Sequence, residues 1–456
     1  MTLSIASKNT KTLLLSGWGN YPQASCHRIE PVDATVDWRD FEAFPHLIAR
    51  GMGRSYGDAS LSPAGSLVVA TRWQNKFLAF DRVQGLLTAQ AGVTLGEIID
   101  VIVPAGWFLP VTPGTRQVSL GGALASNIHG KNHHAVGAIV QFVESLRVQT
   151  ESGGFDCSRA QNAELFFATV GGYGLTGIIT QATLRLKKIE TAWIDARFVK
   201  VPDLDMAMAT SLELEKQFEY SVVWIDSLAR GKHFGRGIVM AGNHAKLSDL
   251  AGRAAAQPLR NDWSPPDTAP AKFPGWILNN ATNRLFNFAY AHRFQGCEAR
   301  QLVRFEPWFF PLDRVAGWNR FYGGRGFVEY QCALPLATAA AGGRELLERI
   351  ARAGLGSFLS VFKRIGDDAV TLPFAMPGWT LAMDFGVRGP ELFPVLDELD
   401  KIVLRHGGKI YLSKDARLKA DTFRAMYPEL PRWRAVVEKF NPARRFQSRL
   451  SQRLQL

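Results

Sequence analysis

A chain of 456 residues can build more than one hydrophobic core, so two or three domains are expected. Its 46% hydrophobic and 21% charged residues are ordinary for a globular protein, and the net charge of +12 suits either an anionic partner (phosphate, anionic lipid or nucleic acid) or a generally basic surface. Cys26, Cys157, Cys297 and Cys332 lie far apart with no CxxC pair, which excludes a disulfide framework and a zinc site and suits a reducing, cytoplasmic compartment. The apolar run Leu13–Leu15 is too short for a signal peptide, and no stretch approaches the ~18 apolar residues of a membrane span, so any membrane contact is expected to be peripheral.

In chain order, a turn-rich opening, SGWGNYP, precedes a short apolar strand, His46 to Arg50. That strand empties into Gly51-Met-Gly-Arg-Ser-Tyr-Gly-Asp58. Three glycines in seven positions free backbone N–H groups to converge on an anion, although a plain hairpin turn accounts for this loop equally well. It is not the GxGxxG dinucleotide fingerprint, because no helical pattern with its acidic residue follows. Residues 66–92 alternate around turns as consecutive strands, and Thr94 caps a helix running to Val103. Pro113 to His134 then reads PGTRQVSLGGALASNIHGKNHH: glycines and small residues that admit close backbone approach, followed by His129, Lys131, His133 and His134. A strand over 138–150, a helix over 162–170 and a strand after Gly174 complete a first α+β unit.

Beyond Glu190 the texture changes. A helix is expected over 203–218, strands over 220–226, 326–334, 357–364 and 379–385, and helices over 342–353 and 392–406. The proline-rich stretch 255–275 reads as a long surface loop of the kind that forms a lid or stays disordered. The tail carries Tyr411-Leu-Ser-Lys-Asp415 and then Arg432, Arg434, Lys439, Arg444, Arg445, Arg449 and Arg453, which form either a solvated helix face or a surface for anions. No G-x-S-x-G, H-E-x-x-H, Walker or kinase pattern is present, so hydrolase and phosphotransferase readings have no motif behind them. Two glycine loops, the GG…GLTG element at 171–177 and a lysine-bearing tail instead suit a cofactor with a pyrophosphate and a large flat ring.

RGMGRSYGD, PGTRQVSLGGALASNIHGKNHH and ATVGGYGLTGII resemble the FAD domain of the vanillyl-alcohol-oxidase, or PCMH-type, flavoproteins. YSVVWID, GWNRFYGGRGFVEYQ, FLSVFKRIG, PGWTLAMDF and GGKIYLSKDAR extend the likeness to the branch that oxidises polyprenyl-phosphoryl ribose. The resemblance implies an α+β, two-domain fold: an FAD-binding domain over 1–190, a substrate domain with an antiparallel sheet flanked by helices over 191–408, and a segment over 409–456 that returns to the first domain. It implies FAD contacts from Arg50, Gly51, Met52, Gly53, Arg54, Ser55, Tyr56, Gly57 and Asp58 in the first loop. In the second it implies Gly114, Ser119, Leu120, Gly121, Gly122, Ser126, Asn127, Ile128 and His129, with Ile179 and Tyr411 closing the ring pocket.

Many relatives bind FAD covalently through a histidine where this chain has Tyr56, so non-covalent FAD is implied. Lys414, His129 and Tyr56 are the implied catalytic residues, and Lys131, Trp224, Tyr322, Gln331, Lys363 and Asp384 the substrate side, with Lys131 and Lys363 suited to a phosphate. His133 and His134 are expected to support the site or lie at the surface. Departures stand at Ala382, Thr380 and Glu329, where that branch carries cysteine, asparagine and glutamine. The implied reaction takes the 2′-hydroxyl of the ribose to a ketone, which a separate NAD(P)H-dependent short-chain reductase would convert to the arabinose epimer. A soluble alditol or sugar-lactone oxidase is the second enzyme reading. A nucleic-acid- or membrane-binding protein, supported by charge alone, is a third, and no nucleic-acid partner is expected.

Overall fold

The computed structural model describes residues 10–30, 41–261, 267–269, 278–293 and 300–456. Much of the proline-rich stretch lies outside the described residues, as does Cys297. Its described remnant Asp267–Thr268 pairs in parallel with Val315–Ala316.

Strands β1 (Lys11–Ser16), β2 (Gln23–Ile29), β3 (Leu47–Arg50) and β4 (Leu67–Ala70) form a sheet in the order β1-β2-β4-β3. The pairings of β4 with β2 and β3 are parallel, and β4, covered on both sides, is buried throughout. A second, antiparallel sheet holds β5 (Phe77–Asp81), β6 (Leu86–Gln90), β7 (Val143–Thr150), β8 (Gly153–Ser158) and β9 (Ile178–Arg185), ordered β5-β6-β9-β7-β8. The strand expected from residue 138 begins only at Val143, because Ile139–Phe142 coil into a 3₁₀ turn whose Ile139 N–H donates to Ile128 O. Helix α1 (Leu95–Ile102) starts where expected: Thr94 Oγ1 accepts from the Glu97 N–H while the Glu97 carboxylate accepts from the Thr94 N–H, satisfying donors that a helix start leaves open.

The third sheet is larger. Strands β10 (Trp193–Val201), β11 (Tyr220–Ile225), β12 (Gly237–His244), β13 (Gln301–Arg304), β14 (Phe327–Pro335), β15 (Ser360–Ile365), β16 (Gly378–Gly386) and β17 (Lys409–Ile410) run in the order β13-β10-β12-β11-β15-β16-β14-β17, each antiparallel to its neighbour. Its two faces do different work because side chains alternate along a strand. Val223, Val239, Val328, Tyr330, Cys332, Phe362, Leu381 and Met383 share one core with Leu346, Leu347 and Ile350 of helix α2 (Ala339–Ala353) and Leu396, Leu399 and Val403 of helix α3 (Leu392–Arg405). The intervening Phe198, Val222, Trp224, Met240, Glu329, Gln331, Val361, Lys363, Thr380 and Ala382 line a cavity on the opposite face.

The C-terminal residues lie against the first sheet. Phe446 bridges Leu47 in parallel, the Leu47 N–H donates to Arg445 O, and the Arg449 N–H donates to Leu61 O. The basic tail is therefore not one free cationic stripe. Arg434 is engaged by Gln455 O, Lys439 by Glu164 and Arg445 by Phe41 O. Arg453 is the deepest of these contacts, giving two hydrogen bonds to Asp58 at 2.8 and 3.0 Å and one to Asp415 at 2.8 Å.

Burial opposes the charge on both carboxylates. It prevails at Asp58, whereas at Asp415 it is outweighed by Arg453, Arg417 and the Arg417 and Leu418 N–H groups, which hold the carboxyl below its ordinary value. Arg453→Met would leave two buried carboxylates without their cation. A loss of about 3–5 kcal/mol in urea unfolding is expected, and a change below ~1 kcal/mol would show that the ion pair does not hold the tail in place.

Candidate active site

The two glycine loops and the open face of the third sheet enclose a cavity of about 930 Å³, at the top of the usual range for a single ligand and large enough for a dinucleotide. Gly51, Met52, Gly53, Arg54, Ser55 and Tyr56 line it from the first loop. Gly114, Ser119, Gly121, Gly122, Ser126, Ile128 and His129 line it from the second. Ile179, beside a bulge in β9 at Thr180, and Tyr411 supply flat apolar walls, while Lys131, Trp224, Gln331, Lys363 and Lys414 lie at the sheet end.

The residues fit a flavin dinucleotide. A Cβ on Gly51 would stand 1.9 Å from Ser119 Oγ, which is already fixed by accepting the Gly122 N–H, so the loops can touch only through glycine. A Cβ on Gly114 would meet nothing within 4 Å, which leaves that backbone open to a ligand. The Arg54 guanidinium lies 4.0 Å over the Trp18 ring, and among the described residues its buried Nε has no hydrogen-bond partner. Burial lowers its pKa and Asp313 only partly offsets this, so a pyrophosphate beside the guanidinium would supply the missing counter-charge.

The polar end is built from the second loop, strands β14, β15 and β16, and the turn that bears Lys414. His129 follows the second loop, and its Nε2 is 2.9 Å from Gln331 Nε2, which also donates to Thr380 Oγ1 at 3.1 Å. With Gln331 donating, the imidazole carries its proton on Nδ1. Burial first, and then Lys363, His133 and Lys414, push His129 well below the usual histidine value, so it is uncharged. Lys363 donates to Gly130 O at 3.0 Å, and burial with the charges of Lys131 and Lys414 lowers it to about 7. Burial alone lowers Lys131 to about 8. Lys414 packs 3.8 Å over the Tyr56 ring and donates to Glu329 Oε2 at 2.7 Å. Glu329, an awkward carboxylate beside an anionic substrate, thus has a lysine partner.

Seven expected contacts do not line the cavity. Arg50 is turned away, donating to Ser16 O at 2.6 Å and Ser60 Oγ at 3.0 Å. Asp58 is held by Arg453, and Gly57 lies against the Asp415 carbonyl, where a Cβ would come within 1.7 Å. Leu120 is in the core, and Asn127 braces the loop by donating to Asp368 and accepting the Val140 N–H. Tyr322 stacks on Phe327 at 4.1 Å, and Asp384 is buried behind Glu329. His133 is a support, its Nδ1 accepting the Gly366 N–H at 2.9 Å, and burial lowers it to about 3.

Sequence reasoning missed the wall formed by Trp308, Phe309, Leu312 and Trp318, together with Trp193; Trp18, the aromatic of the turn-rich opening, also lines the cavity. The aromatic run Phe305-Glu-Pro-Trp-Phe-Phe310 was its available signal. Asp313 fastens this wall to the second loop by accepting from Thr115 Oγ1 and the Arg116 N–H, both at 2.7 Å. Gly57→Ala should force the Tyr56 and Lys414 segments apart, costing about 1–3 kcal/mol and lowering the flavin-to-protein ratio of purified protein; an unchanged absorbance ratio and melting temperature would contradict this.

Among the described residues no helix is long and apolar enough to cross a membrane. A family profile described as an FAD binding domain matches residues 26–156. The decaprenylphosphoryl-beta-D-ribose oxidase of Mycolicibacterium smegmatis is 35% identical over 456 residues, covering 98% of each chain. An uncharacterized protein in the mprA 5′ region of Streptomyces coelicolor is 31% identical over 371 residues, 80% of this chain and all of that one. A putative D-arabinono-1,4-lactone oxidase of Neurospora crassa is 29% identical over only 126 residues, 27% of this chain and 22% of that one. The near end-to-end match, joined to a cavity that fits FAD, shows that the chain is an FAD-dependent oxidoreductase and belongs to the decaprenylphosphoryl-beta-D-ribose oxidase family.

Proposed function

We propose that the chain oxidises the 2′-hydroxyl of a polyprenyl-phosphoryl-β-D-ribose to the 2′-keto sugar, the first half of an epimerisation to the arabinofuranose donor. One observation carries the reading: His129 and Lys131 of the second loop, Lys363 of β15 and Lys414 of the turn after β17 converge on the sheet end of the same cavity that the glycine loops enter. A soluble alditol or lactone oxidase has no use for two half-buried lysines that, among the described residues, have no carboxylate bonded to them, and the lactone-oxidase relative covers only a quarter of the chain.

Bound FAD supplies the hydride acceptor. Lys131 and Lys363 hold the phosphate, whose charge offsets the cost of burying two ammonium groups. Lys414 orients the reacting hydroxyl and stabilises the charge that develops on its oxygen, and the uncharged His129 takes the proton on Nε2 once the hydroxyl replaces Gln331 as the donor there. Trp224, Phe309 and Trp318 exclude water around the sugar. Tyr56 lies under Lys414 with its hydroxyl bonded to Glu329, which supports FAD held without a covalent link. Acid precipitation should therefore release all of the flavin into the supernatant.

Peripheral membrane contact is supported by the helix Asn280–Arg293. Its Asn283 and Asn287 are buried, donating to Gly356 O and Asp226 Oδ1, while Leu285, Phe286 and Phe288 are exposed. The keto product would be consumed by a separate NAD(P)H-dependent short-chain reductase.

Anaerobic mixing with a prenyl-phosphoryl ribose should bleach the flavin absorbance, and Lys414→Ala should slow the bleaching by about 10²–10⁴-fold; no bleaching of the wild type would overturn the reading. The phosphodiester stays anionic, whereas free Lys363 and Lys131 lose their protons near pH 7 and 8. Affinity should consequently fall as pH rises through this window. An initial-rate profile should show KM climbing above pH about 8, with kcat changing less.

A further inference from the structure

Beside Lys414 the wall carries a second carboxyl group that the proposed reaction does not use. Glu329 of β14 and Asp384 of β16 are directly opposite in the antiparallel register and so project from the same face of the sheet. Two ionised carboxylates in that arrangement would repel one another. Asp384 is 1% exposed and, among the described residues, neither carboxyl oxygen has a hydrogen-bond partner, although the cation of Lys414 is close by. Lys414 is instead bonded to Glu329, which also receives the Tyr56 hydroxyl. Glu329 and the buried hydroxyls of Tyr56 and Tyr322 also face Asp384 through its electrostatics; the Tyr322 hydroxyl feels both carboxyls and has no hydrogen-bond partner among the described residues. Burial, then Glu329, drive Asp384 well above the usual carboxyl range, and Lys414 opposes this only in part. One proton therefore resides in the pair, on Asp384, and the pair's single negative charge cancels that of Lys414.

The charge pattern of the wall follows. Lys131 and Lys363 have no carboxylate bonded to them: Lys363 donates to a backbone carbonyl and Lys131 lies 5.8 Å from the Phe309 ring. Lys414 alone is neutralised. We propose that Glu329, backed by Asp384, is a specificity-determining residue, which cancels Lys414 so that this part of the cavity receives uncharged hydroxyls and refuses a carboxylate next to the reacting carbon. On this reading a phosphorylated sugar satisfies both regions of the wall, whereas a 2-hydroxy acid must set its carboxylate against that of Glu329. The inference rests on the proposed function for the identity of the accepted sugar, but its exclusion of carboxylates is tested separately.

The probe is oxalate, an unreactive stand-in for a 2-hydroxy acid, titrated into the flavin-loaded protein and read as a visible difference spectrum of the flavin. The wild type should show no saturable change. E329Q/D384N, with Lys414 uncancelled, should bind oxalate at least about tenfold more tightly, the affinity should fall with added salt, and adding K414M should abolish it. A flavin-loaded E329Q/D384N with no more affinity than the wild type, or a wild type that already binds oxalate as tightly, overturns the inference.

Should the double variant fail to retain flavin, the wild type itself decides. Its infrared spectrum at pH 8 should contain the carbonyl band of a buried protonated carboxyl, shifted in D₂O and lost in D384N; a spectrum without that band overturns the proton-sharing pair. Prenyl-phosphoryl ribose, added to the same wild-type sample, tests the proposed function. Absence of bleaching with oxalate exclusion intact would sink the sugar assignment and leave the role of Glu329 standing.

Discussion

The site depends on one half-buried arginine. Arg453, on the last helix, binds Asp58 at the close of the first glycine loop and Asp415 directly after Lys414. Those carboxylates are separated by more than 350 positions in sequence, and the loops that carry them meet so closely that Gly57 has no room for a side chain against the Asp415 carbonyl. A planar guanidinium can serve both acids at once because its donors point in fixed, divergent directions. The tail therefore acts as a clamp. Tyr56 can lie under Lys414 because the residues next to each are tied to the same cation.

The cavity is electrostatically unfinished by design of its contents. Burying Lys131, Lys363 and Lys414 with one carboxylate bonded among them is unfavourable, which is why burial drags two of these amines down toward neutrality. An anionic ligand removes that penalty, so the lysines contribute to binding in proportion to what their burial costs the empty fold. Arg54 repeats the arrangement among the glycine-loop residues, lining the space that fits a pyrophosphate with a charge that Asp313 only partly offsets. Two separate demands for anions in one enclosure match a substrate and a cofactor that both carry phosphate.

How much of this could be read beforehand varied with the range of the interaction involved. Local signals were legible: the Thr94 cap, the strand entering Gly51 and the short helix before Gly171 all follow from neighbours a few positions apart. The likeness to known flavoproteins located lining residues in both loops, from Gly51 to Tyr56 and at Ser119, Gly121, Gly122, Ser126, Ile128 and His129. It could not tell lining from bracing. Arg50, Asp58 and Asn127 sit within the same motifs, yet their partners Ser16, Arg453 and Asp368 are remote in sequence or on another element, and nothing local reveals them. The aromatic wall from Trp308 to Trp318 was missed for the same reason, since its role is set by Asp313 reaching back to Thr115 and Arg116. Strand ends were misplaced where backbone donors found nearer acceptors, as in the 3₁₀ turn at Ile139–Phe142.

The eight-stranded sheet also explains why the polar wall is so well defined. Glu329 and Gln331 alternate with Val328, Tyr330 and Cys332 on a single strand, and Lys363 flanks Phe362 on another. Slipping either strand by one residue would turn the charged side chains into the core beneath helices α2 and α3 and expose the apolar ones in the cavity. Each such inversion carries the penalty of burying an unpaired charge, several kcal/mol in the usual case, in addition to the lost packing. Core formation and site formation are thus one event: the energy that packs Tyr330 and Phe362 behind the sheet is the same energy that holds Glu329 opposite Asp384 and presents Lys363 and Gln331 to the ligand. A carboxyl pair as unfavourable as Glu329 and Asp384 can persist in this wall because the register that juxtaposes them is enforced from the other face.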